Sequence, residues 1–170
     1  MIELVGAEGL RFYFTHDVPL LDDGEVSKDL IVASYNAHLA NGIGNLCNRL
    51  LKMMISYDAR FDPAEARESL YWKEVEQRAS QFLDTTDLTG YVSYIWKELA
   101  SIDVWIQETE PFKLFKVEAE KARDLVSEMM EKFYVLTNFA EPVLPHSAVK
   151  IIDCIEERKM PDTPMFMKIG

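Results

Sequence analysis

The stretch Leu39-Ala40-Asn41-Gly42-Ile43-Gly44-Asn45-Leu46-Cys47-Asn48-Arg49-Leu50-Leu51-Lys52-Met53-Met54 decides the fold. Leu39, Ile43, Leu46, Leu50 and Met54 recur at steps of three and four, which keeps them on one face of a helix. The pattern is expected to run over residues 27 to 57, with Ser27 as N-cap, its hydroxyl accepting from an otherwise unpaired first-turn amide.

Working outward, Phe61-Asp62-Pro63 ends that helix and starts another, Asp62 capping and Pro63 taking the first helical position. This second helix is expected to reach residue 83, with Leu70, Tyr71, Val75, Ala79 and Phe82 as its apolar side. Asp84-Thr85-Thr86-Asp87 separates it from a third, which runs to residue 109 and buries Leu88, Val92, Ile95, Leu99 and Ile102. Pro111 interrupts the chain. A fourth helix over residues 117 to 140 carries Leu125, Met129, Phe133 and Leu136 and stops at Pro142 and Pro145. A short fifth spans residues 148 to 158. On the N-terminal side, residues 3 to 15 read as a short helix with Leu4, Leu10, Tyr13 and Phe14 inward, followed by an acidic turn at Asp22-Asp23-Gly24. The expected fold is all-α: an antiparallel bundle of about five helices with an extended, packed C-terminal tail.

Composition narrows the function. No stretch of the 170 residues approaches the roughly 20 apolar residues that span a bilayer, so no membrane partner is expected. Two distant cysteines make no disulfide framework, and the N-terminus lacks the pattern of a signal peptide, which points to the cytoplasm. A net charge of −11 argues against general DNA or RNA binding, which relies on Lys and Arg neutralising phosphates. His16, His38 and His146 lack a Glu three positions earlier, no Cys-x-x-Cys occurs, and no nucleophile elbow is present, so neither a metal site nor hydrolytic chemistry is expected. Cys47 is expected in the core, as are Trp72, Trp96 and Trp105 unless they serve as stacking platforms. The acidic runs over residues 65 to 76 and 118 to 131 read as solvated helix faces.

One helix departs from this pattern. Asn36, Asn41, Gly42, Gly44, Asn45 and Asn48 are poor helix formers, each glycine costing about 1 kcal/mol against alanine. Close packing would account for the glycines, but not for the amides. Asn41, Asn45, Asn48, Arg49 and Lys52 fall at helical spacing beside the apolar face. Residues 34 to 57 contain no acid, although the chain has 29 acids and a window of that length should hold about four. A mildly basic, amide-rich strip of this kind suits hydrogen bonding to a few unstacked bases, the usual basis of sequence-specific RNA reading.

The run Tyr35-Asn36-Ala37-His38-Leu39-Ala40-Asn41-Gly42-Ile43-Gly44-Asn45-Leu46-Cys47-Asn48-Arg49 resembles the segment that opens the anticodon-binding bundle of methionyl-tRNA synthetases, with its Asn-x-x-Gly-Asn-Leu core and closing Arg. Val5-Gly6-Ala7-Glu8-Gly9-Leu10-Arg11-Phe12-Tyr13-Phe14 is similar to the family's Tyr-Gly-Ala-Asp-x-Leu-Arg-Tyr-Tyr-Leu segment. Glu110-Pro111-Phe112-Lys113-Leu114-Phe115-Lys116 is similar to its Lys-Pro-Trp-x-Leu-x-Lys turn. Glu141-Pro142-Val143-Leu144-Pro145 and Pro164-Met165-Phe166-Met167-Lys168-Ile169 match its helix stop and its ending, so the resemblance covers nearly the whole chain in order.

The resemblance implies a module reading the CAU anticodon of tRNA(Met), with Asn45 and Arg49 on the first anticodon base and Asn41, Asn48 and Lys52 beside them. Phe112 stands where the family has a tryptophan that supports base stacking; it keeps a π-face but lacks the indole donor. The His-x-Gly-His and Lys-Met-Ser-Lys-Ser signatures that bind ATP in class I synthetases are absent, as is the family's zinc-binding cysteine set. The chain is thus expected to hold no catalytic residues, metal or cofactor. ATP with Mg would belong to a catalytic domain of the same enzyme, a partner that this chain lacks. Residues 1–24 are expected to connect to that domain, 25–158 to form the bundle and 159–170 the tail, and a start within the Gly-Ala-Glu segment points to a chain cut from a longer protein. The alternatives are a helical protein-interaction domain or a free-standing tRNA-binding domain of synthetase ancestry, and the corresponding bundle of another class I synthetase.

Overall fold

Ser27 starts the long segment as its chemistry predicts, its hydroxyl accepting from the Leu30 amide at 3.3 Å. The structure is a computed structural model that describes residues 1–18 and 26–170; the turn expected at Asp22-Asp23-Gly24 and the boundary expected after residue 24 lie outside these residues. Among the described residues the regular elements are all helical. They are α1 (Ile2–His16), α2 (Lys28–Ser34), a π-helical segment (Tyr35–Gly44), α3 (Asn45–Tyr57), α4 (Pro63–Glu68), α5 (Leu70–Asp84), α6 (Leu88–Thr109), α7 (Pro111–Leu114), α8 (Ala119–Ala140) and α9 (Pro145–Glu156). No helix among them is long and apolar enough to cross a membrane.

The long helix expected over residues 27 to 57 is thus three consecutive pieces. Its middle piece has the wider π turn, because Gly42 sits at φ −83°, ψ −110°, outside the helical range, and the Asn45 amide reaches back five residues to the Ala40 carbonyl. A Cβ on Gly44 would meet the Leu39 carbonyl oxygen at 2.9 Å and the Phe166 ring at 3.2 Å, so close approach of the tail requires glycine there. All five apolar positions of the opening stretch are buried, and α3 lies against α8, whose Met129, Phe133 and Leu136 are fully buried. Each such side chain contributes about 1.5–3 kcal/mol.

Asp62 caps α4 as expected, accepting from the Ala64 amide at 2.8 Å, and Asp87 caps α6 by accepting from Gly90 at 2.8 Å. Other local expectations are corrected. The second helix is two, because Ser69 is extended and recaps the chain by accepting from the Trp72 amide at 3.1 Å; Leu70 therefore faces solvent. Leu88, in the first turn of α6, is also exposed. In α1 the inward side is Val5, Gly9, Phe12 and Tyr13, at steps of three and four, while Leu4 and Phe14 are exposed; Gly6 (φ 72°) kinks the helix just after Val5. The last helix begins three residues early. Glu8 of α1 caps it, accepting from the amides of His146 (2.6 Å) and Ser147 (3.1 Å), and no residue near Pro145 could have revealed that partner.

The tail is extended and packed, as expected. The Asn36 side chain donates to the Ile169 carbonyl at 2.8 Å and accepts from the Ile169 amide at 2.9 Å, while Phe166 is buried against Tyr35.

Candidate functional site

The polar side chains of the π segment meet different neighbours. Asn36 faces the tail, while His38 and Asn41 both line a cleft against α6, His38 also meeting His16 of α1. This first cleft, about 300 Å³, is walled by Asn41, Ile43, Leu46, Trp96, Leu99 and Asp103, and is largely apolar. A second, about 350 Å³, lies between α3, the end of α6 and α7 and is lined by Arg49, Lys52, Met53, Ser56, Tyr57, Ile106 and Phe112. Arg49 is ion-paired to Asp103, so the pair marks where the two clefts meet.

Of the six side chains singled out by sequence, the structure therefore brings Arg49, Lys52 and Phe112 into one cleft and puts Asn41 in its neighbour. Asn45 opens α3 and is exposed, and Asn48, one turn from Lys52, is half-buried; neither lines a cleft. Asn41, Asn45, Asn48 and Lys52 make no side-chain hydrogen bond or ion pair to another described residue. Their donors remain available.

The second cleft owes its shape to a turn. Glu110, at φ 44°, ψ 59°, ends α6 in the left-handed conformation, and Pro111 follows at the first position of α7 with its ring buried. Phe112 is consequently thrown outward, 49% exposed. Phe115, one turn later, stacks inward on Tyr57 at a centroid distance of 4.0 Å. Arg123 fixes that floor by donating to the Tyr57 carbonyl at 2.8 Å. Cation, ammonium and free aromatic face thus share one opening, an arrangement fitted to an anionic, planar ligand such as a nucleotide.

Cys47 is fully buried, and burial pushes its thiol up to about 12, with Cys154 adding to the rise. Trp96 is buried, its indole donating to the His38 carbonyl at 3.3 Å; Trp72 and Trp105 are partly buried against the core. Sequence reasoning missed Asp103, which offers no local signal because its partner lies 54 residues away. It also missed the convergence of His16, Asp17 and His38, whose donor atoms lie within 4.8 Å of one another. Burial lowers the His38 imidazole below its ordinary range; His16 lowers it further and Asp17 opposes the change.

Residues 1–51 match a family model described as tRNA synthetases class I (M). The chain is similar to the methionine–tRNA ligase of Fusobacterium nucleatum, 28% identical over 159 residues that cover 88% of this chain and 25% of that protein. Its structure is similar to the apo methionyl-tRNA synthetase of Mycobacterium tuberculosis, with a TM-score of 0.80 and 25% identity over 99% of this chain and 40% of that one. The same M. tuberculosis enzyme in complex with methionyl-adenylate matches with a TM-score of 0.78 and 25% identity, covering 97% of this chain and 38% of that one. The chain spans about a quarter of the length of the curated relatives it matches.

Proposed function

We propose, from its similarity to methionyl-tRNA synthetases, that the chain is the part of such an enzyme that reads the CAU anticodon of tRNA(Met). The observation that carries this reading is the second cleft, where Arg49, Lys52 and the exposed face of Phe112 meet on an otherwise acidic chain. Arg49 donates to the first anticodon base, with Asn45 four residues earlier on the same helix face. Phe112 gives a neighbouring base a stacking surface, and Lys52 meets a phosphate. Asn41 and Asn48 extend the polar border of this surface. Few phosphates are neutralised, so specificity comes from base contacts and affinity falls steeply with salt.

In this account residues 1–24 lead from a catalytic domain that binds ATP with Mg and forms methionyl-adenylate, residues 25–158 form the reading bundle, and residues 159–170 close back onto it. This chain itself contributes tRNA positioning in a cytoplasmic ligase and no adenylating chemistry.

Footprinting of tRNA(Met) by the isolated chain at low salt tests the assignment. Protection is expected at the three anticodon nucleotides and the adjoining loop phosphates. Protection confined to the acceptor stem, or none at concentrations that saturate binding, would overturn it.

A further inference from the structure

His16 and Asp17 at the C-terminus of α1 meet His38 of the π segment. The separation of His16 Nδ1 from Asp17 Oδ1 is 3.1 Å, the two imidazole centroids are 4.7 Å apart, and the three donor atoms all lie within 4.8 Å of one another. We propose that His16, Asp17 and His38 form a binding site for a divalent transition-metal ion of the zinc type.

Ligand chemistry selects the class. Two imidazoles and one carboxylate suit Zn²⁺ and its neighbours, whereas Mg²⁺ and Ca²⁺ require oxygen donors. Bonds of about 2.0–2.1 Å in a tetrahedron place ligand atoms about 3.3 Å apart, so the His16–Asp17 edge already has the right length. The widest pair must close by about 1.5 Å, a movement that small rotations of the histidine side chains supply. Three protein ligands leave the fourth position to water.

Asp17 is held from behind, as metal ligands usually are, and the two histidines are restrained by packing. The Ser34 hydroxyl donates to Asp17 Oδ2, which leaves Oδ1 directed at His16. The Asp17 amide donates to the Tyr13 carbonyl at 2.9 Å and fixes its backbone on the end of α1. His38 is held through its carbonyl by the Trp96 indole, and the buried Phe12 ring packs against both imidazoles at 4.8 and 5.5 Å. His16 and Asp17 keep 18% and 29% of their side-chain surface exposed, enough for an ion to enter. A bound ion would link α1 to the π segment through bonds that are not hydrophobic, a function distinct from the RNA cleft.

Titration of the 170-residue chain with ZnSO₄ by calorimetry, and with Co²⁺ by visible absorption, tests the site. One equivalent is expected to bind with a micromolar or tighter dissociation constant, and Co²⁺ to give ligand-field bands without thiolate charge transfer. His16→Ala and His38→Ala should each weaken binding at least tenfold while circular dichroism remains native. His146→Ala, at a surface histidine, should not. Zinc should raise the thermal midpoint of the parent chain and leave that of the His16→Ala chain unmoved. The absence of binding by the native chain, or unchanged affinity in a His16→Ala/His38→Ala double variant, would overturn the site. If either single variant unfolds, His16→Gln and His38→Gln replace it under the same criteria.

Discussion

Arg49 on α3 is ion-paired to Asp103 on α6. The residue assigned to the first anticodon base is therefore already positioned by protein, with both side chains about one-third exposed. A guanidinium has five donors in a fixed fork, and the pair uses one terminal nitrogen, Nη1, so donors remain for a base. Asp103 also accepts from Gln107 at 2.7 Å, which restrains the carboxylate. Asp103→Asn should bind every tRNA a few-fold more tightly, because a negative charge leaves the cleft, while the preference for CAU over other anticodons shrinks. Filter-binding with a panel of anticodon variants measures both quantities.

Phe112 and Arg49 are predicted to contribute unequally. Losing base stacking costs about 1–3 kcal/mol, so Phe112→Ala should weaken tRNA(Met) binding by about tenfold or more. Arg49→Ala should cost more, since it removes a charge-assisted contact to a base. Phe112→Trp should tighten binding through greater ring area. Fluorescence titration at one fixed low salt concentration ranks the three, and a greater loss for Phe112→Ala than for Arg49→Ala would reverse the assignment of roles.

The legible part of this molecule was the part written in local chemistry. Helix spacing placed Leu39, Ile43, Leu46, Leu50 and Met54 in the core, and Ser27 and Asp62 announced their caps. What stayed hidden depended on partners distant in sequence. Glu8 starts α9 from the other end of the chain, and Asp103 answers the charge of a segment that has no acid of its own. The π turn was hidden too. Gly42 and Gly44 signalled a weak helix, but the tail residues that pack on it, Phe166 and Ile169, lie far away in sequence.

The clamp between Asn36 and Ile169 is measurable by itself. Two hydrogen bonds, each worth about 0.5–1.5 kcal/mol, hold the tail, so Asn36→Ala should lower stability by about 1–3 kcal/mol. Amide exchange in the last residues should accelerate well beyond exchange in α8. Urea unfolding followed with hydrogen–deuterium exchange distinguishes a released tail from a uniformly weakened fold.

Alkaline pH should destabilise the chain. Burial raises the Cys47 thiol to about 12, and burial first, then the hydrogen bond to Glu156, raises the Tyr134 hydroxyl to about 12 as well. Burial raises Tyr91 to about 12. A proton held more tightly by the folded state stabilises it fully below the unfolded pKa and is lost as pH climbs through the folded one. Stability should consequently be flat below about pH 8.5, where an unfolded thiol remains protonated, and fall progressively towards pH 12. Urea midpoints across this range provide the check.

Arg49 is proposed to read the first anticodon base. Dissociation constants of the parent chain and of Arg49→Ala, each measured against tRNA(Met) with its CAU anticodon and against the same tRNA carrying GAU, test it most directly. The parent chain should lose at least about tenfold in affinity on the base change, a difference of about 1.4 kcal/mol, while Arg49→Ala should bind both tRNAs equally and weakly. Equal affinity of the parent chain for the two tRNAs, or undiminished discrimination by Arg49→Ala, would contradict it.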